Sequence, residues 1–142
     1  MTTASEPRKN RPLIYACSGC SDVAQLANNA AVHLDHAGAF EMSCISGVGG
    51  KVKPLVNVAR SGRPITVIDG CPLHCASACL ENIGVHPGRH IRLYEYGFRK
   101  HYGQSYGEDA VDDVCQLVLT GNLDSDARKQ PGHTTNERTT ND

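Results

Sequence analysis

The sequence predicts a small α/β domain, an open parallel sheet of about four strands in three layers, with helices on both faces. Two observations predict it. Short apolar runs alternate with stretches of helical periodicity. Glycines also stand where the helices should stop, at Gly38, Gly62, Gly84 and Gly121. The crossovers of such a sheet are right-handed. No repeat with a period of roughly 20 to 50 residues points to a solenoid instead.

Leu13 to Ala16 (LIYA) reads as the first buried strand. Ser21 and Asp22 then open a helix whose apolar positions are Val23, Leu26, Ala27, Ala30, Ala31 and Leu34. Phe40 to Ile45 (FEMSCI) is the second strand, running into a glycine-rich turn, Ser46 to Gly50. Val52, Leu55, Val56 and Ala59 mark a short helix. Ile65 to Ile68 (ITVI) is the third strand, and Ala76, Cys79, Leu80 and Ile83 mark the helix after it. His90 to Tyr96 (HIRLYEY) reads as a fourth strand, Tyr102 to Gly107 as a loop, and Val111, Val114, Cys115 and Val118 as the last helix.

The 142 residues suit one domain. Residues 1–11 and 123–142 are polar and aperiodic, so disorder is expected at both ends and a domain over 12–122. Net charge is -1, aromatic residues are 5%, and no basic stripe is present, which argues against a nucleic-acid surface. No apolar run approaches the roughly 20 residues of a membrane span, and no secretory h-region is visible. A cytoplasmic protein with no membrane partner is therefore expected.

Seven cysteines then call for an explanation, because a reducing compartment disfavours structural disulfides. Cys17 and Cys20 follow the first strand, Cys44 closes the second, and Cys71 and Cys75 follow the third. In a parallel sheet these strand ends lie on one edge, where open α/β sheets build their sites. Five thiols are thus expected to converge as metal ligands: Cys17, Cys20, Cys44, Cys71 and Cys75. Convergent thiols suit a soft metal such as zinc. Cys17 and Cys20 have the common C-x₂-C bite. Cys71 and Cys75 are spaced i, i+4, which puts both on one side of a helix entry. Cys79 and Cys115 fall at core-facing helical positions and read as small hydrophobes.

Other candidates are weaker. His74, inside the Cys71–Cys75 pair, could ligate or move protons, or be a plain loop histidine. Ser46 to Lys51 (SGVGGK) lacks both the first glycine and the Ser/Thr of a phosphate loop. Its glycines could form an anion nest or simply turn the chain. Asp69 could orient the following loop or cap the helix behind it.

Asp69-Gly70-Cys71, extended by Pro72-Leu73-His74-Cys75-Ala76, resembles the signature of the DGC domain family. Cys17-Ser18-Gly19-Cys20-Ser21-Asp22 and Met42-Ser43-Cys44-Ile45-Ser46-Gly47 resemble the same family, over roughly residues 12 to 120. The resemblance implies zinc binding, with Cys17, Cys44, Cys71 and Cys75 as the metal set and Cys20 as a fifth thiol. It implies no reaction.

The functional expectation is a zinc-binding protein with its cysteine site at the carboxyl edge of the sheet and no assigned activity. Its rivals are an enzyme carrying a 4Fe-4S cluster and acting on a small sulfur- or oxygen-containing molecule, and a metal-free thiol redox or sulfur-transfer protein.

Overall fold

The computed structural model describes residues 6–122. The tail expected to be disordered, residues 123–142, and the first five residues of the N-terminal segment lie outside the described residues. The elements are β1 (Leu13–Ala16), α1 (Asp22–His36), β2 (Glu41–Met42), α2 (Ile45–Gly49), α3 (Lys53–Ala59), β3 (Ile65–Asp69), α4 (Cys75–Glu81), β4 (Arg89–Arg92) and α5 (Glu108–Thr120). Short 3-10 turns cover Arg8–Asn10 and Leu93–Tyr96.

The sheet is wholly parallel, in the order β2-β1-β3-β4. Every residue of β1 and β3 is buried, so the two central strands are covered on both faces and are mostly apolar, with Thr66 and Asp69 the polar residues of β3. The chain moves from β1 outward to β2, then back past β1 to β3. With right-handed crossovers that reversal puts α1 on one face and α2 to α4 on the other. The packing agrees. α1 lies on the sheet against α5, while α4 lies on β3 against α2, which also touches α3. The α1 side chains Val23, Leu26, Ala27, Ala30, Ala31 and Leu34 are all buried, as their spacing requires. Each larger one contributes about 2 kcal/mol of burial.

Two strands are shorter than the apolar patterns suggest. β2 is only Glu41–Met42, against the expected Phe40 to Ile45. Cys44 ends it by capping α2: its Sγ accepts from Gly47 N at 3.4 Å. The expected glycine turn is thus a helix. A Cβ on Gly47 would lie 1.9 Å from Leu55 Cδ1, and one on Gly49 3.0 Å from Cys79 Sγ. These glycines allow α2 to approach α3 and α4 closely. The N–H groups of Gly50, Lys51 and Val52 donate to the carbonyls of Ser46, Val48 and Gly47, so the turn does not offer them to an anion. β4 runs from Arg89 to Arg92, not to Tyr96. Its register pairs Arg92 with Asp69, the last residue of β3. Beyond that point it has no partner strand, and the chain turns into the 3-10 segment.

Candidate functional site

The winding of the strands across the sheet reverses between the parallel neighbours β1 and β3, and their carboxyl ends open a crevice there, the usual ligand position in such sheets. A cleft of about 170 Å³ occupies it, with Cys17, Cys20, Cys71 and Cys75 in its lining. Ser18, Gly19 and Ser21 come from the β1–α1 loop, Asp69 from the end of β3, Leu73 from the β3–α4 loop, and Lys100 and Tyr102 from the segment before α5.

Each wall has a local anchor. On the first, Ser21 caps α1 by accepting from Ala24 N at 3.2 Å. Buried Asp22 accepts from its neighbour Val23 N (2.8 Å), from His101 N (2.6 Å) and from His101 Nδ1 (2.9 Å). Tyr102 also bridges to Ser21. These contacts hold residues 100–102 alongside the Cys17–Ser21 loop.

On the second wall, Asp69 is 1% exposed and caps α4 with both oxygens: Oδ1 accepts from Ala76 N at 3.0 Å and Oδ2 from Ser77 N at 3.2 Å. That fulfils the capping alternative for this residue. His90 Nε2 stands 2.7 Å from the same Oδ2. His74 adopts the left-handed conformation, φ 53°, directly before α4. Its Nε2 is 2.8 Å from the Tyr94 hydroxyl, and its ring meets His90 edge-on with centroids 4.9 Å apart. His74 is thus a pinned loop residue that fixes the turn between Cys71 and Cys75. Gly70 is required because a Cβ there would lie 2.7 Å from the carbonyl oxygen of Val23. Its N–H reaches across the switch point to donate to Cys17 Sγ at 3.2 Å.

The thiols differ in setting. Cys17 is 8% exposed, and burial pushes its pKa up to about 11; the Gly70 N–H works against this, while Asp69, Cys71 and Cys75 add to it. Cys71 is half-buried, with Lys100 Nζ 3.9 Å from its sulfur. Cys20 and Cys75 are exposed. Cys44 lies elsewhere. It lines a separate hollow with Arg8, Asp35, His36 and Ser43, past the end of β2. Its pKa is lowered by the Ser46 hydroxyl, 3.1 Å away, and by the Gly47 N–H. Cys79 is half-buried on α4, and Cys115 Sγ donates to Ala30 O at 3.6 Å between α5 and α1.

The strand-end argument thus brings four of the five named cysteines to one cleft and leaves Cys44 apart. The four sulfurs suit a soft cation in donor chemistry. Their side chains are not drawn together: among the described residues no three His, Cys, Asp or Glu side chains stand in metal-ligating geometry. Sequence reasoning missed Lys100, Tyr102 and the Asp22–His101 link. The segment carrying them has no periodicity, so only the fold brings it to the cleft.

The sequence model of the DGC domain matches residues 13–118, from β1 to the last turn of α5. The chain belongs to the DGC domain family. The Asp-Gly-Cys motif of the DGC domain is here the C-terminus of β3, the crowded Gly70 and the first thiol of the second wall. The chain is 60% identical over 93 residues to the anaerobic and virulence modulator AnvM of Pseudomonas aeruginosa, covering 66% of this chain and 71% of that one. No solved structure matches the chain. Among the described residues of this DGC domain no helix is long and apolar enough to cross a membrane.

Proposed function

We propose that the protein binds zinc through Cys17, Cys20, Cys71 and Cys75 and acts as a regulatory metal–thiol protein. The observation that carries this reading is the meeting of two cysteine pairs in one cleft at the switch point of the sheet. Zinc takes four ligands, and paired cysteines from two loops are a common way to supply them. The exposed positions of Cys20 and Cys75 leave both side chains free to turn toward Cys17 and Cys71. Cys44, which the family resemblance includes in the metal set, stands outside this group. The modulator name of the Pseudomonas aeruginosa relative supports a regulatory role over a catalytic one.

That name also favours a second reading, a 4Fe-4S cluster on the same thiols, because such centres are a natural means of distinguishing anaerobic from aerobic conditions. Purification without air, followed by colour, metal and sulfide analysis, separates the two. A colourless protein with about one zinc per chain supports the first reading. A brown protein with acid-labile sulfide supports the second. A protein with neither, whose cysteines exchange disulfides, overturns both.

A further inference from the structure

We propose that residues 98–106 form a strap that gates the cleft and is latched shut by His101 on Asp22. The gate would regulate the proposed metal–thiol site, so its purpose rests on that reading, while the latch stands on the strap's own contacts.

These residues (FRKHYGQSY) lie between the 3-10 turn after β4 and α5 and contain no helix or strand. Their two ends are joined. The Phe98 and Tyr106 rings meet edge to face with centroids 5.8 Å apart, and the Tyr106 hydroxyl donates to Arg99 O at 2.6 Å. Phe98 is buried, which fixes this base in the core. Residues 99–105 between the ends are all exposed. A surface loop closed at its base by its own side chains is an Ω-loop, a form frequently put to functional use. Gly103, at φ 70° and with nothing within 4 Å of a Cβ placed there, leaves one limb of the loop free to swing.

The middle of the strap is held by the start of α1. Asp22 is 3% exposed, and a buried carboxylate requires donors. The strap supplies two of them, His101 N at 2.6 Å and His101 Nδ1 at 2.9 Å, beside the local Val23 N. Asp22 N returns a bond to His101 O at 2.9 Å. The His101 side chain is itself 44% exposed, so water competes for the latch. Releasing it exchanges these bonds for water and leaves Phe98 and Tyr106 in place, so the strap swings without unpacking the core. The motion takes Lys100 and Tyr102 out of the lining they share with Cys17 and Cys71. In the latched state Cys17 is 8% exposed and Cys71 half-buried.

The test follows peptide-resolved alkylation by iodoacetamide in the reduced full chain, after its metal has been measured and then removed by a chelator. His101→Ala should speed alkylation of Cys17 and Cys71 about tenfold, the ratio expected for losing one hydrogen bond to a buried carboxylate. His101→Asn, whose side-chain amide can donate to Asp22 Oδ2 in place of Nδ1, should label close to the parent rate. Cys115, packed between α5 and α1, should label at the parent rate in both variants. Hydrogen exchange reads the latch directly: His101→Ala should speed exchange across residues 99–105 and leave the α5 amides protected. Equal Cys17 labelling in parent and His101→Ala, equal labelling in His101→Ala and His101→Asn, faster labelling of Cys115 together with Cys17, or unchanged exchange of the strap would each overturn the gate. A chain that carries no metal as purified overturns the metal reading at the first step and leaves the gate to be decided by the labelling.

Discussion

The carboxyl ends of β1 and β2 each lead within two residues to a cysteine, and the two cysteines meet opposite surroundings. Cys17 follows a central strand, is packed against Gly70 of the neighbouring loop, and has its thiol pushed up to about 11 by burial. Cys44 follows an edge strand of two residues, caps a short helix and has its pKa lowered by the Ser46 hydroxyl and the Gly47 N–H. The difference arises from position in the sheet. A central strand at the point of reversal has a second strand end beside it, whereas the edge strand has only the hollow beneath Arg8 and His36. Shared sequence context, a cysteine after an apolar run, therefore does not give shared chemistry.

The largest expected effect tests that division directly. Under the proposed zinc reading, Cys17→Ser and Cys71→Ser should each remove most of the metal, because a hydroxyl is a hard ligand that does not replace thiolate for a soft ion. Cys44→Ser should keep it. Metal content per folded chain is the measurement, and loss in Cys44→Ser would merge the two regions into one site. The next effect is steric. Gly70→Ala places a methyl against the Val23 carbonyl, so the β3 end must move; a loss of about 2 kcal/mol in denaturant unfolding is expected, with weaker metal retention. A melting curve identical to that of the parent would show that the two strand ends are not in close contact.

A smaller effect concerns a thiol in neither region. Cys115, between α1 and α5, is pushed up to about 11 by burial and, secondarily, by Asp112. Its folded pKa exceeds the ordinary value of 9.0, so the neutral thiol favours the fold. That contribution is complete below pH 9 and is lost as pH rises toward 11. Cys115→Ala should flatten the fall in stability over this window by about 1 kcal/mol. Urea unfolding at several pH values measures it, and an equal fall in both proteins would refute the burial account. Last, in metal-free protein the alkylation of Cys44 should begin at lower pH than that of Cys17, because thiolate is the reacting form. Peptide-resolved labelling gives the order, and simultaneous labelling would erase the contrast.

By itself the sequence determined the layer order, the limits of β1 and the start of β3, the face α1 buries, and the cysteines that follow strands. These are local consequences: apolar period, capping residues and glycine stops act within a few positions along the chain. It also carried the alternative in which Asp69 caps α4, since the acceptor and the helix start lie close in sequence. Only the tertiary structure decided the strand order, and with it which cysteines share a cleft. Pairing between β1 and β3 brings together residues about 50 positions apart, while β2 is left at the edge with Cys44. The lengths of β2 and β4 were settled in the same way, by a helix cap at Cys44 and by the loss of a partner beyond Asp69. Lys100 and Tyr102 reach the cleft because buried Asp22, far away in sequence, needs donors and finds them in His101. A periodicity has a range of one helix turn or one strand, whereas hydrogen-bond satisfaction of a buried carboxylate acts across the whole fold.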